Sequence, residues 1–313
     1  MKLRVHNPCN QYTKYYRNYN LFWDELTIEL NKKHEVIENR FFERANKERF
    51  EVHFDSLTSE SGLHLLECEY VIENLDNGEF YILSVSDIVS QAMLVEQHNP
   101  LLKKVLISQF IDYELKHHLG DNISKYSPWI YFQQDLTDLE GFYEKRKSFN
   151  KYIEKLCFWG RTDIRPILNY FDKEIFEGPH YLGDSSKYFT NLICYEVALS
   201  VAGIGELCYR DIECFALGIP ILRFEYQSSL FQKLIPNYHY ISVDYDETIP
   251  YHNDKRTDRL GNQTHAKKLE KRFLEVVKDK EFLKFISNNA RDYYLNNLVS
   301  PNRVKNTLNI LGL

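Results

Sequence analysis

Glycine and methionine are scarce in this chain, with 12 and 2 among 313 residues. So few glycines leave little room for flexible low-complexity linkers, and 43% hydrophobic with 27% charged residues is an ordinary globular composition. Basic charge is also short. The 39 Lys and Arg against 45 Asp and Glu give a net charge of −6, which lacks the electropositive surface that a nucleic-acid polymer requires, so none is expected as a partner. The basic runs at Lys145-Arg146-Lys147 and Lys267–Arg272 read as solvated helix faces. No run of about 18 apolar residues could span a bilayer. Met1–His6 lacks the apolar core of a signal peptide. The expectation is a soluble, cytoplasmic chain with no transmembrane segment.

Other absences narrow the chemistry. The six cysteines, Cys9, Cys68, Cys157, Cys194, Cys208 and Cys214, are scattered with no C-x-x-C pair. That placement suits reduced, buried thiols and gives neither a disulfide frame nor a structural metal site. There is no Walker A loop, no Gly-x-Ser-x-Gly elbow and no His-Glu-x-x-His helix, which removes kinase, esterase and zinc-protease readings. Aromatic residues are abundant instead, with 23 Tyr and 20 Phe. Rings build cores and also platforms for sugars and bases, and only those beside a site carry functional weight.

The chain is long enough for two domains. We expect an α/β fold of two Rossmann-like domains, an N-terminal one over 1–150 and a C-terminal one over 151–313 that includes terminal helices. In the first half, strands read at Lys2–Val5, Glu51–Phe54, Glu69–Ile72, Phe80–Val85 and Lys104–Ser108. A polar, tyrosine-rich loop over Asn7–Asn20 precedes an amphipathic helix through Leu21–Leu30. A charged helical stretch, Leu136–Glu154, leads to a strand at Lys155–Gly160. Beyond it come Glu174–Phe176, a helix around Lys187–Tyr195, strand Val197–Ser200, helix Arg210–Leu217, and strands Ile219–Phe224 and Tyr240–Val243. Three helices run from His265 to the end, punctuated by Asp279, Pro301 and Asn302. Alternating strands and helices argue for open α/β sheets.

Two corners of the second half carry chemistry. After one strand, Gly160-Arg161-Thr162-Asp163 leads through Arg165 into an apolar helix at Ile167-Leu168. Gly160 permits close backbone approach, and Arg161 and Arg165 can bracket a diphosphate at a helix start; a plain βα turn with two surface arginines is the bland reading. The other corner lies within Val197–Glu225, where strand, glycine loop, short helix and second strand follow in one run. Here Gly203 and Gly205 can take positive φ, Glu206 can meet a base or sugar hydroxyl, and Arg210 can pair with phosphate beside Tyr209. Glu213, one turn into the helix, suits a grip on ribose hydroxyls, or else simply favours the positive end of the helix dipole.

The glycine loop, Tyr209-Arg210, Glu213, Ala216-Leu217-Gly218 and Pro220 followed by an apolar strand resemble the nucleotide-binding half of GT-B glycosyltransferases, in particular exostosin-like and related inverting families. Asn289-Ala290-Arg291-Asp292-Tyr293-Tyr294 is similar to a late helix in them. The resemblance covers roughly the second half of the chain. It implies two domains facing each other across a cleft, a UDP- or GDP-linked nucleotide-sugar donor, an oligosaccharide or glycan acceptor, and no separate cofactor.

It further implies a glycosyltransferase that moves a hexosyl, pentosyl or deoxyhexosyl group, with inversion and without metal. Inversion needs a general base near the acceptor hydroxyl. Asp87, Asp55 and His6 each follow or end a first-half strand, and Asp87 is preferred; Tyr12, Tyr15, Tyr16 and Arg17 are candidates to line an acceptor groove. The Glu206-to-Glu213 spacing is one residue short of the paired glutamates of retaining GT-B enzymes. Two alternatives stay open: a non-catalytic nucleotide- or sugar-binding α/β protein, and a metal-dependent GT-A enzyme using Asp244 and Asp246.

Overall fold

The computed structural model describes residues 1–8, 17–41, 57–58, 64–65, 69–84, 98–107, 119–129, 139–159, 166–180, 185–201, 208–226, 232–244 and 263–313. The fold is α/β, in two compact units. The described residues of the first lie within 1–135 and 300–313, and those of the second within 136–299.

The first unit is built on a six-stranded sheet. Its strands are β1 (Lys2–Pro8), β2 (Glu35–Phe41), β5 (Glu69–Asn74), β6 (Phe80–Ser84), β7 (Leu102–Ile107) and β8 (Tyr126–Pro128), in spatial order β2-β1-β5-β6-β7-β8. β3 (Leu57–Thr58) and β4 (His64–Leu65) form a separate antiparallel pair. In the large sheet β5 alone runs against the others, because it is antiparallel to both β1 and β6. Helix α1 (Arg17–Asn31) lays Phe22, Trp23, Leu26 and Leu30 on Leu3, Val5, Tyr70 and Ile72 of the sheet. The last helix of the chain, α7 (Asn302–Leu311), closes the same core with Val304, Leu308, Ile310 and Leu311. Polar pairs fix its seat: the Trp129 indole donates to Thr307 Oγ1 at 3.0 Å, and Lys104 Nζ donates to the Ile310 carbonyl at 2.9 Å.

The second unit has five strands, β9 (Ile153–Trp159), β10 (Phe176–His180), β11 (Tyr195–Leu199), β12 (Ile221–Phe224) and β13 (Ile241–Val243), in order β10-β9-β11-β12-β13. Every pairing is parallel. Leu156, Phe158, Val197, Leu199, Leu222 and Phe224 share one core with Ala266, Leu269 and Phe273 of α5 (Gln263–Val276) and Leu283 and Ile286 of α6 (Lys280–Asn297). Alternate strand residues meet other helices, Trp159 touching Tyr188 of α3 (Ser185–Leu192) and Arg223 pairing with Asp211 of α4 (Tyr209–Ala216). Helices on both faces explain why β9, β11 and β12 read as almost unbroken apolar runs.

Several elements depart from the sequence reading. β1 runs on to Pro8 and α1 begins at Arg17, both inside the expected loop. β2, β8 and the short pair β3 and β4 were not expected; among the described residues β2 and β8 each pair on one side only, β2 is rich in Glu, Asn and Arg, and β8 is three residues long and ends on Pro128. Where an apolar helix was expected after Arg165 there is a five-residue 3-10 turn, Pro166–Tyr170, with Ile167 and Leu168 buried. Pro166 has no N–H to donate, and so short a turn sums little dipole. The expected strand Glu51–Phe54 lies outside the described residues.

The exit from α4 shows why Gly218 stands before Ile219-Pro220. The Gly218 N–H reaches the Phe215 carbonyl and the Ile219 N–H the Cys214 carbonyl, the paired closure of a helix end that requires a left-handed residue. Gly218 supplies it at φ +61°, and a Cβ there would lie 3.0 Å from a Tyr143 ring carbon and 3.1 Å from Ser287 Oγ. Arg291, from the late-helix motif, completes the seal by donating to the Ala216 carbonyl and to Glu140 of α2 (Leu139–Lys147). That motif is therefore part of the scaffold of α4. Gly218→Ala is expected to cost about 1–3 kcal/mol, from left-handed strain and crowding together, read as a lower urea midpoint.

His239 makes the fold pH-sensitive. Its Nδ1 accepts the Ile235 N–H at 2.8 Å while the ring packs edge-on to Tyr293, and burial pulls its pKa down to about 4. The unfolded chain therefore binds the proton first, so this contribution is complete above about pH 6.5 and is lost as pH falls toward 4. His239→Asn, whose amide oxygen can replace Nδ1 as acceptor, should flatten that part of the stability–pH curve measured by denaturant titration.

Candidate functional site

In chain order the strands of the second sheet lie second, first, third, fourth, fifth. The connections therefore diverge between β9 and β11, and ligands of open α/β sheets bind beyond the carboxyl ends of strands at such a switch point. Both glycine corners read from the sequence leave from these two strands, one directly after Trp159 and the other after Leu199-Ser200-Val201. Gly160, Arg161, Arg165, Gly203, Gly205 and Glu206 themselves lie outside the described residues, as do Asp87, Asp55 and Asp246 and the aromatic candidates Tyr12, Tyr15 and Tyr16.

α4 starts where the second corner ends. Tyr209, Arg210 and Glu213 fall in its first turns, Tyr209 44% exposed, Arg210 7% exposed and Glu213 half-buried. Arg210 ties α4 to the end of β9: its Nε donates to the Trp159 carbonyl at 2.8 Å, the last peptide oxygen before Gly160, and its guanidinium lies 4.0 Å over the Phe158 ring. Its Nη1 is buried and has no hydrogen-bond partner among the described residues. A buried guanidinium nitrogen without an acceptor is costly and in native sites marks a missing partner, an anion or a water. Glu213 accepts from the Tyr188 hydroxyl at 2.8 Å.

Beneath these residues sits a buried polar network that the sequence reading passed over. Asp211, with no exposed surface, accepts from Ser200 Oγ at the end of β11, from the Cys208 N–H at 3.2 Å, from Arg223 Nη1 at 2.6 Å and from the Tyr226 hydroxyl at 2.9 Å. Arg223 also stacks on Tyr226, 3.3 Å from guanidinium carbon to ring centroid, and burial pushes the Tyr226 phenol far up, so it stays a donor. The network pins both ends of the second glycine corner, aided by Cys208 Sγ on the Val201 carbonyl. One signal was readable in advance. Arg223 is the lone charge in the apolar run Ile221-Leu222-Arg223-Phe224, and a charge inside a buried strand demands a partner.

In the first unit His6 is 1% exposed on β1, with Nε2 3.3 Å from Glu73 Oε2, and Arg4 lies 3.6 Å from the same oxygen. Asp244 is exposed just after β13. Among the described residues no three His, Cys, Asp or Glu side chains gather as a metal cluster, and no helix is long and apolar enough to cross a membrane.

No protein-family profile and no curated protein matches the sequence. Among solved structures, a glycosyltransferase from Rickettsia africae ESF-5 aligns over 71% of this chain at 14% identity and a TM-score of 0.43. This chain spans 66% of that protein, just under two thirds of its length. WaaG, a glycosyltransferase involved in lipopolysaccharide biosynthesis, aligns over 94% of this chain and 96% of its own at 10% identity and a TM-score of 0.43.

Breaking the Asp211–Arg223 pair leaves one charge buried without its counterpart. Arg223→Met is expected to lower unfolding free energy on the order of 3–5 kcal/mol. The Asp211→Asn/Arg223→Met double variant should lose less than the sum of the two single changes in denaturant titration. Strict additivity would show that the two residues do not act as a pair.

Proposed function

We propose that the protein is a glycosyltransferase whose second unit holds a nucleotide-sugar donor at the switch point of its sheet. The observation that carries this reading is the buried Nη1 of Arg210, which has no hydrogen-bond partner among the described residues. It is a cation at the amino end of a helix, tied to the strand end that leads into one glycine corner and directly following the other. Helix amino ends and guanidinium groups both favour phosphate oxygens. A carboxylate one turn further on, Glu213, suits sugar hydroxyls. Cation and carboxylate on one helix fit a ligand that is phosphate at one end and polyhydroxyl at the other, as a nucleoside diphosphate sugar is. The motif resemblance to GT-B enzymes points the same way.

As the glycosidic bond breaks, negative charge grows on the departing nucleoside diphosphate. Arg210 and the amino end of α4 would meet that charge without reorganising. Arg161 and Arg165 are assigned to the same diphosphate, with Gly160, Gly203 and Gly205 allowing the backbone to approach and Glu206 facing the base or sugar. Transfer to a glycan hydroxyl with inversion calls for a base, for which Asp87 stands first, followed by Asp55 and His6. Metal independence is part of the proposal, and UDP is preferred over GDP as the donor base.

A thermal-shift series with UDP, GDP, CMP and their sugars, with and without EDTA, tests the reading. One nucleotide at about 100 times its Kd should add roughly 2.7 kcal/mol of stability, undiminished by EDTA, and Arg210→Met should abolish the shift. No response to any nucleotide would remove the donor site, and a response lost on chelation would redirect attention to Asp244 and Asp246.

A further inference from the structure

Asn7, near the end of β1, has no part in the donor site. Leu3 and Val5 of that strand pack into the core under α1, and Asn7, two residues further along, lies on the same face. Its side chain is 0% exposed. The amide nitrogen donates to Glu38 Oε1 of β2 at 2.8 Å and to Asp24 Oδ1 of α1 at 3.3 Å. A carboxylate only accepts, so these two contacts fix which way round the amide lies. The amide oxygen, on the other arm of the group, is buried with no hydrogen-bond partner among the described residues. A buried acceptor without a donor is costly and marks a missing partner. The polarity is opposite to that of Arg210, which lacks an acceptor where Asn7 lacks a donor. Asn7 also lies one residue past the pairing of β1 with β5, at the carboxyl end of the parallel pair β1 and β2, and open α/β sheets take ligands beyond such strand ends.

We propose that Asn7 is a specificity-determining residue for the sugar acceptor, its side-chain oxygen accepting a hydrogen bond from a hydroxyl that does not itself react. This rests on the glycosyltransferase reading. The missing partner must be a donor, and a glycan hydroxyl is one. The hydroxyl that attacks has to lose its proton to a base, and an amide oxygen is far too weakly basic to take it. The contact therefore belongs to a neighbouring hydroxyl of the same sugar. Asn7 supplies neither charge nor base; it selects acceptors that carry that hydroxyl and fixes their pose. An acceptor lacking it leaves the oxygen buried and unmatched, which is how a polar site rejects an analogue. Asp24 and Glu38 contribute by holding the amide nitrogen, whatever else they bind.

The test measures transfer from UDP-glucose, UDP-N-acetylglucosamine and GDP-mannose to the methyl glycosides of glucose, galactose, mannose and N-acetylglucosamine. The glycoside used best is then compared with its monodeoxy forms that keep the reacting hydroxyl, on wild type and Asn7→Ala. With wild type, one monodeoxy form is expected to lose about tenfold in kcat/KM, the ratio carried by one neutral hydrogen bond. Asn7→Ala should lose about tenfold on the parent glycoside, chiefly through its KM, lose nothing further on that deoxy form, and leave the KM of the nucleotide sugar unchanged. Independently of any variant, the side-chain carbonyl resonance of Asn7 in carbon-13-labelled wild type should shift on adding the parent glycoside and hold still on adding that deoxy form. Equal losses by Asn7→Ala on parent and deoxy forms would mark the residue as merely structural, and discrimination that survives the change, or a resonance that ignores the glycoside, would leave it without a role; each overturns the proposal. No transfer by wild type from any of these donors overturns the glycosyltransferase reading and this inference with it. Transfer by wild type with no loss on any monodeoxy form overturns the inference alone.

Discussion

Asp211 carries a charge with no exposed surface, and a carboxylate can be kept from water only where protein donors replace it. Ser200, Cys208, Arg223 and Tyr226 do so here, from the end of one strand, the start of a helix, the next strand and the segment after it. Because the donors come from separate elements, satisfying the carboxylate fixes those elements to one another. The carboxyl edge of the second sheet is thus a rigid frame where both glycine corners begin. The energetic balance of such a pair is near neutral against an apolar substitute, so its value lies in the geometry it specifies.

On that frame Arg210 is held by one nitrogen and left open at another. The Trp159 carbonyl takes Nε, the Phe158 ring supports the plane of the group, and Nη1 is buried without an acceptor among the described residues. Arg223, equally buried, spends its charge on Asp211. Two arginines near one strand edge therefore differ: Arg223 is paired with Asp211, while Nη1 of Arg210 has no hydrogen-bond partner among the described residues. Glu213, held by Tyr188, adds an acceptor one turn along. The chemistry proposed for the chain follows from this difference more than from any single motif.

Much of the architecture was legible because the second sheet is covered on both faces. Leu156–Trp159, Val197–Leu199 and Ile221–Phe224 read as apolar runs, and Asp279 announced the start of α6, where it accepts the Phe282 N–H. Two of the elements missed, β2 and β8, are paired on one side only among the described residues and lack that signature. Of the candidate site, what was legible is that Arg210 and Glu213 stand on a helix that follows a glycine corner. Asp211 and Tyr226 were not, because their roles depend on Arg223 reaching across from another strand. Tyr188 was invisible for a related reason, since nothing in the sequence near it indicates a partner 25 positions away. Arg291 lies in the segment read as a late helix, and the structure shows what it does there, which is to close the end of α4.

The position of α7 in the first unit bears on how the chain acquires its shape during synthesis. Val304, Leu308, Ile310 and Leu311 line the same core as Leu3 and Val5, so that core is incomplete until α7 has been made. The described strands and helices of the second unit all precede that helix in the chain. The usual amino-to-carboxyl order of domain folding therefore cannot complete this core first, because residues it needs from α7 are made after every described element of the second unit.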